Sequence, residues 1–161
     1  MTADGPALAA PVATPVTILP TTAFKSPLPT DYTFPGLSLT NGDVIAFAAS
    51  GILATTTIQT VSMYFYVNNI NVAQCDITTS ALGDTGSFDF SGAFTVRNAG
   101  NNGNIKSKSD LVFNALADQS TTTATGVNFL LDLPWDIRVS TTGGVGTFTL
   151  TCQACTLSKV F

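Results

Sequence analysis

Thr60-Val61-Ser62-Met63-Tyr64-Phe65-Tyr66-Val67-Asn68-Asn69-Ile70 decides the fold class. Val61, Met63, Phe65 and Val67 fall at every second position, with Ser62, Tyr64 and Tyr66 between them. Side chains of an extended chain alternate between two faces, so this spacing predicts a strand with one buried and one outward face. Asn68-Asn69 is a hairpin signal, and Ile70–Thr78 is the returning strand.

The same grammar extends on both sides. Upstream, residues 32–39 read as an interrupted strand, Asn41-Gly42-Asp43 as a turn and residues 44–50 as a strand. Downstream, residues 81–87 hold a loop with Gly83-Asp84 and Gly86. Phe88, Phe90, Phe94 and Val96 then alternate with polar residues across Gly92, which predicts a bulge there. Residues 104–115 and 127–133 are further expected strands. Trp135, Ile137 and Val139 carry the alternation past Pro134, which predicts a bend or a sheet edge. Residues 145–151 and 155–161 finish the chain as strands. Eight to ten antiparallel strands at a spacing of about 8–12 residues predict an all-β sandwich.

Composition agrees and excludes much else. The chain has 161 residues, one domain's worth, with 26 Thr, 12 Ser, 10 Asn and 13 Gly. Thr, Phe, Val and Ile suit pleated, half-buried surfaces, while Gly, Asn and Asp supply turns. All ten acids are Asp, Lys numbers four and Arg two, and Glu and His are absent. Without Glu and with little Lys, long solvated helices lack their best polar formers. Without His, Ser–His–Asp and Cys–His nucleophile systems are impossible, as is a His-ligated metal site. No cofactor is expected. A net charge of −4 with six scattered cations argues against a nucleic-acid partner, because phosphate neutralisation supplies most of that affinity.

Charged residues are 10% of the chain, against the usual level of about 25%. A large core under a Thr-coated surface accounts for that, and so does a surface covered in an assembly; the second fits better. No run approaches the ~20 apolar residues of a membrane helix, so no membrane insertion is expected. The opening Met-Thr-Ala-Asp-Gly-Pro has neither a basic region nor a compact apolar core, which predicts synthesis inside the cell without secretion.

Seven of the eight prolines lie within residues 1–35. Residues 1–30 therefore read as an extended Pro-rich arm and residues 31–161 as a knob domain. At ~3.1 Å per residue the arm reaches roughly 90 Å when fully extended. A free tail is one reading of it. Its apolar content, however, is unusual for a solvated linker. Leu8, Pro11, Val12, Pro15, Val16, Ile18, Leu19, Pro20 and Phe24 are the candidate contacts of an arm that lies on a neighbouring subunit or a larger surface.

Two segments share one pattern. Val96-Arg97-Asn98-Ala99-Gly100-Asn101-Asn102-Gly103-Asn104-Ile105 and Val139-Ser140-Thr141-Thr142-Gly143-Gly144-Val145-Gly146-Thr147-Phe148 both read Val-x-x-x-Gly-x-x-Gly-x-apolar. Glycine permits positive φ, so both are expected to be hairpins. Two hairpins with matched offsets suit a double Greek key or jelly roll, with equivalent loops at one end. Two copies are too few for a solenoid.

With the Pro-rich arm, Phe34-Pro35-Gly36-Leu37-Ser38-Leu39-Thr40-Asn41-Gly42-Asp43-Val44-Ile45 and the two glycine segments on the page, the chain resembles small jelly-roll virion proteins of tailed phages. The likeness covers about residues 30–161, and the long arm departs from it. The resemblance implies a homotrimeric jelly roll that decorates a capsid or forms a fibre knob. Capsid decoration is the leading expectation. Trimers would sit on the capsid exterior after assembly in the host cytoplasm, bound to the major capsid protein or another virion protein through the arm. The rival is a receptor-binding knob that uses the candidate loops Asn98, Asn101, Asn102, Thr141, Thr142 and Val145 on host surface glycan.

Catalytic readings are weaker. Cys152-Gln153-Ala154-Cys155 is a lone CxxC on an expected strand, and Cys75 is the sole further thiol, so buried free thiols are expected rather than zinc or redox chemistry. Asp132 and Asp136 flank Leu133-Pro134-Trp135 and suggest a glycan hydrolase, but no local feature raises either carboxyl. Asp84, Asp89 and Asp110 lack the spacing of a calcium loop. The protein is expected not to be an enzyme. Tyr64 and Tyr66 suit interface packing or, less well, sugar stacking.

Overall fold

A computed structural model describes residues 16–18, 32–80, 82–143 and 146–160. Ten strands run through it: β1 (Val16–Ile18), β2 (Tyr32–Phe34), β3 (Val44–Thr55), β4 (Gln59–Val67), β5 (Ile70–Thr78), β6 (Thr85–Asn98), β7 (Gly103–Phe113), β8 (Leu116–Val127), β9 (Leu133–Gly143) and β10 (Phe148–Lys159). They form two antiparallel sheets, six-stranded in the order β1-β10-β3-β6-β7-β8 and four-stranded in the order β2-β9-β4-β5. The protein is an all-β sandwich, as the alternation predicts. The β6-β7-β8 meander within one sheet differs from the two equal sheets of an eight-stranded jelly roll.

The opening stretch folds as its sequence dictates. Val61, Met63, Phe65 and Val67 are fully buried, and Asn68 and Asn69 turn with φ of 49° and 61°. Phe65 links the layers. Its ring lies 4.5 Å from Phe47 of the opposite sheet and 5.4 Å from Trp135 on its own. On one side β5 closes the sandwich against β7 and β8. There Cys75 Sγ donates to Ser109 Oγ at 3.4 Å, and Asp118 accepts from the Asp76 N–H at 2.8 Å.

In place of the two strands expected over 145–151 and 155–161 there is one, β10 (Phe148–Lys159), with a bulge. Phe148, Leu150 and Cys152 face the core, then Cys155 and Leu157 do, because the register with β3 steps from Cys152 to Ala154. The skipped Gln153 reverses the alternation. A CxxC spacing in a regular strand would put its thiols on opposite faces; here both are buried.

Other expectations need correction. Residues 127–133 are not a strand: Val127 ends β8, and Phe129 drops into the core from a loop. Leu116–Val127, not expected as a strand, is β8. Gly92 sits in regular register with Phe47 and Ser109 rather than in a bulge; a side chain there would strike the Phe47 ring. Pro134 lies at the start of β9, between β2 and β4, not on an outer edge. Val16–Ile18, within the stretch read as arm, pairs with β10.

The matched glycine segments also diverge. Residues 99–102 join β6 and β7 as a hairpin within one sheet. Residues 144–147 instead cross from β9 in one sheet to β10 in the other. Register places them at opposite ends. Val44 pairs with Thr95 and Ile45 with Lys159 near the first, whereas Thr55 pairs with Phe148 beside the second.

Candidate interaction surfaces

Opposite the side closed by β5, β2 and β10 belong to different sheets, and an apolar groove of about 430 Å³ lies between the sheets there. Phe34, Leu39, Ile45, Trp135 and Leu157 line it, with Lys159 at its margin. Lys159 Nζ is 2.8 Å from Asp43 Oδ2. Burial pushes the Asp43 carboxyl up, but hydrogen bonds from Lys159 and the Thr40 N–H outweigh it and hold it below the ordinary value. Asp43 thereby ties the turn before β3 to the end of β10.

The same end carries an apolar tip. Leu37, Leu130 and Leu131 are 69%, 50% and 59% exposed. Leu37 is held at φ 62°, a left-handed conformation costing a branched side chain about 1–2 kcal/mol. Two loops lock it there. The Leu37 N–H donates to Phe129 O at 2.9 Å, the Gly36 N–H to Asp132 Oδ1 at 2.7 Å and the Phe129 N–H to Gly100 O at 2.8 Å. A Cβ on Gly36 would press on the backbone of Leu130 and Leu131, so the two loops touch at that glycine. Sequence reading ran a strand through Leu37 and missed this tip. Pro35-Gly36 was the available signal, since that dipeptide marks a turn.

A second surface lies on the outer face of the four-stranded sheet. The Tyr64 and Tyr66 rings are 6.0 Å apart. The Arg138 guanidinium sits 4.2 Å from the Tyr66 ring centre, and its Nε donates to Asp136 Oδ2 at 3.1 Å. Burial pushes the Tyr66 hydroxyl up against the pull of Arg138. Arg138 covers one face of Tyr66 and leaves that face closed to a sugar ring.

The remaining sequence candidates scatter. Leu8, Pro11, Val12, Pro15, Leu19, Pro20, Phe24 and Val145 lie outside the described residues, and Val16 and Ile18 form part of β1. Asn98, Asn101 and Asn102 are exposed at the β6–β7 turn. Thr142 is exposed at the opposite end. Thr141, expected in an exposed loop, is instead 1% exposed, because the inward face of β9 continues through it. Its hydroxyl and the Gln59 side-chain amide are buried there without partners. Cys75, Cys152 and Cys155 are free and buried; burial pushes all three thiols up, Cys155 to about 12. Asp132 and Asp136 serve Gly36 and Arg138 respectively. Among the described residues no cluster of His, Cys, Asp or Glu could hold a metal ion.

No family model matches the chain, and no curated protein matches it. Among solved structures it is similar to the CBM2 module of an evolved Dit from Lactobacillus casei BL23 phage J-1. The identity is 11%, the TM-score 0.35, and the match covers 81% of this chain and 69% of that one.

Proposed function

We propose that the chain is a non-catalytic structural protein of a tailed-phage virion. In this reading it decorates the capsid exterior as a homotrimer and is anchored by its N-terminal arm. The observation that carries the reading is the leucine tip. Three leucines stand in solvent on loops that hydrogen bonds lock, one of them in a strained backbone, which is costly unless another protein covers them. The resemblance of the sequence, the low charge and the engaged state of Asp132 and Asp136 support the same reading.

Deleting residues 1–30 is expected to abolish co-sedimentation with capsids while circular dichroism still reports a folded knob. Leu37→Asp with Leu131→Asp is expected to weaken capsid binding at least about tenfold, as losing a buried apolar anchor does. Normal decoration by both variants would refute the reading.

A receptor-binding knob is the second reading, favoured by Tyr64, Tyr66 and Arg138 grouped on one outer face. Binding of the free protein to host cells or glycans, lost in Tyr64→Ala, would favour it over decoration.

A further inference from the structure

The outer face of the six-stranded sheet carries a depression of about 300 Å³, lined by Ser50, Ser87, Asp89, Val112, Asn114 and Gln153. That volume is at the small end of the range of about 300–1,000 Å³ for small-molecule sites. Strand register sets four of these residues in one row across the sheet. Ser50 pairs with Asp89 and Asp89 with Val112, while Gln153 bulges out between the partners of Gly51 and Ser50. At ~4.8 Å between strands the row spans about 14 Å from β10 to β7.

Short side chains, Ser50 and Ser87, make the floor, and longer ones rise beside them. Gln153 is the residue that the register skips, and it stands exposed; bulges of this kind re-aim a side chain beside functional sites. Gly51 lets β10 close on β3 there, because a Cβ would strike the Thr151 carbonyl. Asn114 is held at φ 52° in the β7–β8 turn, and its amide lies over Gly86, where a Cβ would collide with Asn114 Oδ1. Asp89 stands between these walls. Asp43, Asp76, Asp84, Asp118, Asp132 and Asp136 each accept a hydrogen bond within the chain. Asp89 accepts none among the described residues, although it is exposed on the floor of a pocket.

We propose that this depression binds a neutral saccharide. A sugar hydroxyl both donates and accepts, and so do the amides of Asn114 and Gln153 and the serine hydroxyls, while the Asp89 carboxylate accepts from two neighbouring hydroxyls. Val112, 45% exposed, meets the C–H face of the ring. The depression has one carboxylate, too few for a metal ion. An ammonium group would satisfy Asp89 but would give the two amide N–H donors and Val112 nothing to bind. The site lies on the other sheet from Tyr64 and Tyr66, and it stands whether or not the chain decorates capsids.

Nuclear magnetic resonance on the full chain tests it, with methyl glycosides of glucose, galactose, mannose, rhamnose and N-acetylglucosamine as probes. At least one is expected to bind saturably, with a Kd on the order of 1 mM, and to shift the amides of Ser50, Ser87, Asp89 and Val112. Asp89→Asn keeps the shape and is expected to weaken that binding at least about tenfold, as losing a charged hydrogen-bond partner does. Ser87→Arg fills the floor beside Asp89 and is expected to abolish it. Both positions are exposed, so the rest of the spectrum is expected to stay as it is. Tyr64→Ala is the control expected to bind as before. No saturable shift with any of the five glycosides would overturn the proposal, as would binding indifferent to Asp89→Asn and Ser87→Arg or lost in Tyr64→Ala. Methylammonium shifting the same amides while the glycosides do not would also overturn it, by assigning the pocket to a cation.

Discussion

Residues 99–102 and 144–147 are bridged by the same offsets, Val-x-x-x-Gly-x-x-Gly-x-apolar, and the same loop length, yet they build different things. One returns the chain to the adjacent strand, about 4.8 Å away; the other carries it across a sandwich about 10 Å thick. Gly103 is required because the Phe129 ring and the Asn98 carbonyl occupy the space of a side chain. Gly146 faces the hydroxyls of Thr56 and Thr57, and the Thr147 N–H donates to Thr56 Oγ1 at 2.9 Å. Local spacing specifies that the chain reverses. What packs under the reversal specifies which sheet it joins.

The largest expected effect lies under the first loop. Phe129→Ala should cost about 3–5 kcal/mol in denaturant melts, because the ring fills the core beneath Gly103. A cost under about 1 kcal/mol, the level of an ordinary surface change, would mean that the hairpin does not depend on it.

Next comes alkaline pH, which should separate the strands that the two loops feed. β10 carries Cys152 and Cys155, and β7 has no cysteine. Burial raises both thiols above the ordinary 9.0, Cys155 to about 12. A folded value raised above the unfolded one gives stability that is full below pH 9 and lost as pH rises through the folded value. Urea melts between pH 8 and pH 11 should therefore show a fall of roughly a few kcal/mol. Cys155→Ser should lessen it, and an equally steep fall in that variant would remove Cys155 as the main cause.

The smallest effect is the sharpest comparison. Gly103→Ala should cost about 1–3 kcal/mol by overpacking against backbone and a locked ring. Gly146→Ala should cost less, about 1 kcal/mol, because its Cβ meets side-chain hydroxyls that can rotate and displaces only the hydrogen bond from the Thr147 N–H to Thr56 Oγ1. Equal melting temperatures for the two variants would make the loops equivalent after all.

The β4–β5 hairpin was legible because its pattern depends on one buried face and a local turn. β8 was not, because an edge strand needs little core: of Leu116–Val127, only Ala124 and Val127 are fully buried. The polar run Gln119-Ser120-Thr121-Thr122-Thr123 therefore shows no alternation of hydrophobicity. The bulge at Gln153 was hidden for another reason: it depends on the register with β3, a contact remote in sequence. Of the candidate surfaces, the exposed Asn98, Asn101 and Asn102 were readable from turn chemistry. Of the leucine tip only the turn at Pro35-Gly36 was readable, since exposure of an apolar side chain is decided by the loops that hold it. Thr141 was misread because a threonine near a glycine pair suits a loop as well as a strand end.

The antiparallel pairing of β1 with β10 has a mechanical consequence. Tension drawn along β1, parallel to the sheet edge, acts across every β1–β10 hydrogen bond at once, because those bonds lie perpendicular to the strands. Tension drawn outward from the edge opens them one after another. The joint is strong in shear and weak in peel, so the direction of a load on β1, more than its size, decides whether it stays on β10.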